Sequence, residues 1–463
     1  MEKLNVMEIL NPMAGKLIQG KGETLVQGVS IDSRRIDEGD LFFAIVGPNH
    51  NAHKFLQGAY DNGCRAVVIS QREAAEDLPR DCCIILVEDT LVALQELAKW
   101  YVGRMDMRKI AVTGSVGKTT TRDMIFACLS RKYNTGTCRH NFNNQVGLPL
   151  AMLELRDNMQ VAVLEMAMEE PNHIRRLAEL VKPDVAVITN IGISHIEKLG
   201  SRENIFKEKM EVVHFFGEEN VLVINGDDDM LATLNPEEVS YRIVKAGSNE
   251  AADFSASDVE DLGASGVRFN LNCNQGCFPI RLSVPGAHNA VNATMAAAAC
   301  SVMGVAIEDI IAGLGQVEMT DNRLKLSTVG EICIINDTYN AAPESMKSAL
   351  VTLTKSEGKR KIAILGAMNE LGDMSKEAHL EVGRFAARQG VDMLITIGEQ
   401  GALITEGASE VGGVGTLKHF DTKEKLMEEI KSIFQPGDVV MLKASRTVEL
   451  EKVAEKMEEE LAE

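Results

Sequence analysis

The stretch Thr113-Gly114-Ser115-Val116-Gly117-Lys118-Thr119-Thr120 places two glycines, a lysine and adjacent hydroxyls together. Glycines let a backbone wrap a phosphate, amides at a helix start point at its oxygens, and Lys118 supplies a mobile positive charge toward the terminal phosphates. Thr119 is placed to ligate magnesium through its hydroxyl. Val112 stands where the common form of this loop has its first glycine. The chemistry expected is nucleoside triphosphate binding, and the loop is silent on the reaction. Two further candidates follow apolar runs: Glu165 at the end of residues 161–166, and His195 after residues 185–190. At the carboxyl end of a strand, a carboxylate can reach magnesium held on phosphates. Magnesium prefers oxygen, so for His195 a metal role and a hydrogen-bonding role stay equally open.

Elements of the right kind surround these residues. Lys109 to Thr113 reads as a buried strand, Gly114 to Gly117 as a turn and Lys118 to Arg131 as a helix, which favours a phosphate loop over an ordinary glycine-rich turn. Apolar strands at 161–166, 185–190 and 221–225, separated by helical segments, predict a largely parallel sheet covered by helices. Residues 253–285 read as short broken strands without helices, an insertion or edge meander, and an Ala-rich helix follows from His288 to Met303. Upstream, residues 41–46, 66–70 and 84–87 alternate with helical stretches in a small α/β unit that ends in the amphipathic segment Thr90 to Tyr101. Downstream, strands at 332–336, 361–366, 393–397 and 439–442 predict a third, doubly wound unit, closed by a helix from Val448 to the charged end of the chain. Breaks near 102–106 and 315–321 divide the 463 residues into units of 1–104, 105–318 and 319–463, a count that fits usual domain sizes.

Composition excludes several classes. With 45% hydrophobic residues, 25% charged residues and 11 prolines the chain can bury a large core. Its net charge of −20, from 48 basic and 68 acidic residues, disfavours a nucleic-acid partner. No run of 18 uncharged apolar residues predicts a membrane span, and the N-terminus lacks the pattern of a signal peptide. The nine cysteines sit mostly in apolar runs and are expected as buried free thiols in the cytoplasm. Only Cys273 and Cys277 approach a zinc spacing, and no second pair accompanies them.

Taken in order, these motifs resemble the Mur ligase family of ATP-dependent amide-bond-forming enzymes. The phosphate loop is similar to that family's variant, which also lacks the first glycine. Further likeness lies in Asn141–Pro149, Glu165-Met166, Thr189-Asn190-Ile191 with His195, Lys209 in the run EKMEVV, and His288–Asn292. The resemblance implies three α/β domains: a small N-terminal one for a UDP-linked substrate, a central phosphate-loop domain with a parallel sheet, and a Rossmann-like C-terminal domain that closes over both. It implies ATP as cosubstrate and two magnesium ions. Gly114, Ser115, Val116, Gly117, Lys118, Thr119 and Thr120 would hold phosphates. Thr119, Glu165, His195 and Lys209 would serve the metal. Asn289 and Asn292 would meet the adenine side, and Arg323 and Asp337 the nucleotide from the third domain. Ser33, Asn143, Asn144, Tyr339 and Asn340 would lie on the substrate side.

In that family the lysine matching Lys209 is carbamylated, which turns a cation into an oxygen-bearing anion suited to magnesium. The residues alone allow a plainer role, since Lys209 also falls beside the apolar helix face Ile205, Phe206, Met210 and Val213. Three stretches, Asp32-Ser33-Arg34 with residues 39–55, Asn336–Met346 and Leu365–Gly372, resemble the branch that joins D-Ala-D-Ala to a UDP-muramyl tripeptide. Relatives that add one amino acid to a UDP-muramyl peptide, or glutamate to a folate, are the alternative, followed by a regulatory phosphate-loop protein without turnover. Ala167, Asn322, Ala342 and Ala367 depart from the family pattern without removing a phosphate or metal group. A cytoplasmic monomer is expected, with small-molecule partners and neither nucleic acid nor membrane.

Overall fold

Short apolar runs between helical segments fold as parallel strands because both faces of each strand are then buried under helices. The computed structural model describes residues 1–47, 50–138, 141–320 and 323–462. It contains three main sheets. The first has the order Lys16–Gln19, Cys83–Leu86, Ala66–Ile69, Asp40–Phe43, Gly28–Ser30, and only its first strand is antiparallel. The third runs Lys325–Val329, Ile332–Asn336, Asp438–Lys443, Arg360–Leu365, Met393–Ile397, Thr416–Phe420, again antiparallel only at its first pair.

The central sheet is the largest. Its order is Thr135–Thr137, Val161–Glu165, Arg108–Thr113, Val185–Ile188, Val221–Asn225, Arg242–Gly247, Phe254–Asp261, Val267–Cys273, Gly276–Leu282. The last two strands are antiparallel, so the region without helices is an edge meander of this same sheet. Register matters for function: Val112 pairs with Glu165, and Thr113 with Ile188. The phosphate loop, Glu165 and Thr189-Asn190 therefore emerge together at the carboxyl edge, where ligands bind in such sheets. The Ala-rich helix His288–Val302 packs on the phosphate-loop helix Lys118–Leu129 and on the strands Val221–Asn225, Arg242–Gly247 and Phe254–Asp261. Ala296 to Ala299 are fully buried, and their small side chains let the layers approach closely.

Several expectations need correction. The phosphate-loop helix stops at Leu129. The final helix runs Glu451–Glu460, because Glu449 takes a left-handed backbone (φ 56°) after a short turn of helix at Arg446–Val448. The break at 102–106 is a turn of the chain but not a break in the core. The helix Thr90–Gly103 packs on Gly147–Glu154 and His173–Val181, and Leu94, Leu97, Leu148 and Leu177 share one cluster with the first sheet. Strands Lys16–Gln19, Gly28–Ser30, Thr135–Thr137, Arg242–Gly247, Lys325–Val329 and Thr416–Phe420 lie outside the apolar runs of the sequence. Most are short, edge-placed or half-exposed, so they lack the unbroken apolar run that marks a buried parallel strand. All nine cysteines are free thiols.

One close approach sets the third unit. Helices Ser375–Arg388 and Gly398–Val411 meet at Gly383 and Gly407; a Cβ at Gly383 would lie 1.9 Å from the Ile404 carbonyl oxygen, and one at Gly407 2.0 Å from that of Leu380. Overpacking costs about 1–3 kcal/mol or more, while the helix propensity of alanine recovers only about 1. Gly383→Ala is therefore expected to lower the thermal midpoint; an unchanged or raised midpoint in a melting scan would contradict the packing.

Candidate active site

A cleft of about 620 Å³ lies between the carboxyl edge of the central sheet and that of the third. Its floor is the phosphate loop. Gly114 (φ 147°) leaves no space for a side chain, since a Cβ would sit 1.8 Å from Thr189 Oγ1. The neighbouring strand end braces the loop. Ser115 N donates to the Asn190 carbonyl at 3.0 Å, Val116 N to Asn190 Oδ1 at 3.0 Å, and Thr189 Oγ1 to the Val116 carbonyl at 2.6 Å. The helix opens at Gly117 (φ 81°) with no side chain capping its first amides, which leaves them for an anion. Lys118 Nζ donates to the carbonyls of Gly114 at 3.0 Å and Ser115 at 3.1 Å, so the loop curls around its own lysine.

Behind the loop stands Glu165, 1% exposed. Its Oε2 accepts from Thr119 Oγ1 at 2.7 Å and its Oε1 from Asn143 Nδ2 at 2.8 Å, while Arg122 Nη1 lies 3.5 Å from Oε2. Burial acts to raise its pKa, but Arg323, Arg122, Lys118 and the Thr119 hydroxyl together hold it below the ordinary carboxylate value. The group stays an anion. Among the described residues no cluster of three or more His, Cys, Asp or Glu side chains could encase a metal. An ion beside Glu165 would take most of its oxygens from phosphate, hydroxyl and water, the usual manner of magnesium.

The third unit supplies the roof. The Arg323 guanidinium stacks over Tyr339 at 4.0 Å, and its buried Nε has no hydrogen-bond partner among the described residues, which makes it a candidate donor to an anion in the cleft. Lys443, 3% exposed, pairs with Asp337 Oδ2 at 2.5 Å and donates to the Asn340 carbonyl at 2.9 Å. His195 Nδ1 lies 2.5 Å from Glu370 Oε2, and the hydrogen-bonding and charge of this imidazole hold the Glu370 carboxyl below its ordinary value against partial burial. Both residues have left-handed backbones, φ 65° and 63°, so each strand-end loop bends sharply to bring them face to face.

Most expected residues converge here. Ser115, Val116, Gly117, Lys118, Thr120, Asn143, Glu165, His195, Asn292, Arg323, Asp337, Tyr339 and Asn340 all line the cleft. Others do not. Asn289 is 1% exposed, donates to the Pro285 carbonyl at 2.6 Å and accepts from Asn292 Nδ2 at 2.7 Å, so it braces Asn292 rather than facing a ligand. Asn144 Oδ1 is used by Val146 N and Gly147 N, and Ser33 lies in the first unit, on a turn that accepts from Asn62. Asn322 lies outside the described residues. Lys443 and Arg446, outside every motif, also line the cleft, as do His288 and Glu370, which lie in the family-like stretches without a role implied for them. Lys443 ends the buried strand Asp438–Lys443 and Arg446 stands three residues beyond it, a strand-end position that is a usable signal.

Lys209 lies beneath the cleft wall. It is 1% exposed, and among the described residues the one hydrogen-bond partner of its Nζ is Met168 Sδ at 3.9 Å. Burial, together with the nearby Lys118 charge, pushes its pKa well below the ordinary value. The unfolded chain thus binds this proton more readily at every pH below about 10.4, and stability falls as pH drops from there toward the lowered folded value. In carbon-dioxide-free buffer, Lys209→Met is expected to raise the neutral-pH melting temperature, roughly 2–4 °C per kcal/mol recovered, and to flatten the loss on acidification. A lower midpoint at all pH values would mean that the amine has a partner. Gly114→Ala should abolish ADP binding by calorimetry without unfolding the chain; unchanged affinity would show that the loop tolerates the clash.

Residues 112–300 match the Mur ligase middle domain and residues 322–446 the Mur ligase glutamate ligase domain. The chain is 37% identical over 456 residues to the UDP-N-acetylmuramoyl-tripeptide–D-alanyl-D-alanine ligase of Bacillus subtilis, covering 98% of both. Against the Escherichia coli protein of the same name it is 30% identical, covering 99% of both. A crystal structure of MurF from Acinetobacter baumannii matches with a TM-score of 0.88 at 30% identity, over 99% of this chain and 100% of that one. The MurF ligase of Thermotoga maritima in complex with ADP matches at 0.81 and 29% identity, over 94% and 98%. With its phosphate loop, the anionic carboxylate behind it and this likeness along the whole length, the chain belongs to the Mur ligase family, alongside its UDP-N-acetylmuramoyl-tripeptide–D-alanyl-D-alanine ligases.

Proposed function

We infer that the protein is an ATP-dependent ligase that joins D-alanyl-D-alanine to UDP-N-acetylmuramoyl-tripeptide, releasing ADP and phosphate, in the cytoplasmic synthesis of peptidoglycan precursors. The observation that carries this reading is the facing of two sheet edges across one cleft, with Lys118 and Glu165 on one side and Arg323, Tyr339 and Asn340 on the other. A carboxylate is a poor electrophile, so amide formation needs a leaving group. ATP provides one when its γ-phosphoryl group passes to the peptide carboxylate. The free amine of the dipeptide then attacks the acyl carbon, and phosphate departs.

Each step has residues suited to it. Lys118, the open amides from Gly117 onward and Arg323 bind and orient the triphosphate and stabilise charge on the group in transfer. Glu165, Thr119 and Asn143 keep one arrangement because each is locked by the others. Magnesium, held through Thr119, Glu165 and His195, would supply further positive charge at the phosphate oxygens. Lys209 suits carbamylation: its buried amine favours the neutral form, whose lone pair forms a C–N bond to carbon dioxide with loss of one proton, and the resulting anion gains an oxygen ligand for a cation. Closure of residues 319–463 over 105–318 excludes water that would hydrolyse an acyl phosphate, while residues 1–104, with Ser33, hold the UDP-linked substrate. Among the described residues no helix is long and apolar enough to cross a membrane. The partners are small-molecule substrates, and the protein acts as a monomer.

Purified protein with ATP, magnesium and UDP-muramyl tripeptide is expected to release phosphate with D-Ala-D-Ala and far less with single amino acids; equal turnover with a single amino acid would move the assignment to another branch. Lys118→Ala should abolish release while the fold persists. Lys209→Ala should be nearly inactive and partly rescued by a short carboxylic acid; full activity without rescue would argue against the carbamate.

A further inference from the structure

Arg122 is the largest fully buried side chain among the described residues. It lies one helical turn below Lys118 and Thr119 on the same face of the phosphate-loop helix. Beyond its approach to Glu165, its Nε and Nη2 donate to Asp123 Oδ1 at 2.9 and 2.6 Å, and Nη2 also reaches Thr320 Oγ1. Asp123 completes the cluster. Its Oδ2 accepts from Thr320 N at 2.9 Å and from Thr320 Oγ1 at 3.0 Å. A side-chain pair on the phosphate-loop helix thus grips the backbone and the hydroxyl of one residue in the segment that leads from the central unit into the third.

That residue stands three positions before Arg323, and three residues of chain reach at most roughly 10 Å. On the other side of Arg323, Leu324 N donates to Asp337 Oδ1 at 3.3 Å. Arg323 therefore hangs between one anchor on the central unit and one on the third. We propose that Arg122 and Asp123 are positioning residues that fasten the linker at Thr320 to the phosphate-loop helix and so fix where Arg323 stands over the triphosphate. The same Arg122 side chain holds Glu165, so the carboxylate behind the loop and the cation above it are set by one buried cluster. The inference rests on the proposed function only for the identity of the anion.

A double-mutant cycle read on ADP affinity by calorimetry tests it, since that readout needs no amide bond. Thr320→Val keeps the branched shape and removes the hydroxyl; it should weaken ADP binding about tenfold, the middle of the range for residues in one network, and Thr320→Ser should restore it. Asp123→Asn is the second route to the same loss. In an Arg323→Met background Thr320→Val should be silent, because the guanidinium it positions is gone. Additive losses in that background, or a Thr320→Val variant that melts earlier yet binds ADP normally, would overturn the proposal. A wild-type chain that binds ADP but forms no amide would sink the proposed function alone and leave the cycle readable.

Discussion

A carboxylate kept charged where water cannot reach it is the constraint on which this structure depends. Taken alone, a buried Glu165 would be protonated, because removing the charge from water costs several kcal/mol. Two hydrogen bonds from Thr119 and Asn143, the Arg122 guanidinium, and the fields of Arg323 and Lys118 reverse that tendency. Those five groups come from the phosphate-loop helix, from the segment before Gly147–Glu154 and from the linker to the third unit. Keeping one anion ionised thus demands that three parts of the chain be in register.

Backbone geometry meets this demand at the sheet edge. The pairing of Val112 with Glu165 and of Thr113 with Ile188 puts three loops side by side before any side chain is placed. Gly114 accepts the contact with Thr189 that any larger residue would prevent. The third sheet presents its own carboxyl edge from the opposite side, where the Lys443–Asp337 pair holds the strand end that carries Tyr339 and Asn340. Neither edge alone surrounds a triphosphate and an acceptor.

Burial of Lys209 follows a different logic. Among the described residues the weak acceptor Met168 Sδ is the only hydrogen-bond partner of its Nζ, too little to offset the cost of burying an ammonium ion. Packing alone would be satisfied equally well by a methionine; burial and the nearby Lys118 charge instead favour the neutral amine. The hydrophobic cluster that runs unbroken from the first sheet through the helix Thr90–Gly103 to Leu148 and Leu177 gives the wall around it rigidity.

The phosphate loop and the strand-end position of Glu165 were legible from residue order, because glycine, lysine and hydroxyl spacing along one strand–turn–helix is a local property. Strand alternation likewise indicated the α/β class and the third, doubly wound unit. What residue order could not reveal was how groups far apart in sequence share one site. Asn289 and Asn292 look equivalent as neighbours on a helix, yet only packing against Pro285 turns the first into a brace and the second toward the cleft. Arg122, Lys443 and Glu370 read as ordinary charged residues until their partners at Glu165, Asp337 and His195 are in place. The sequence by itself determined the phosphate-binding turn and the elements that flank it, through local backbone and hydrogen-bonding preferences; tertiary structure alone decided which charges are buried, paired or left open, because burial and distance exist only once the chain has folded.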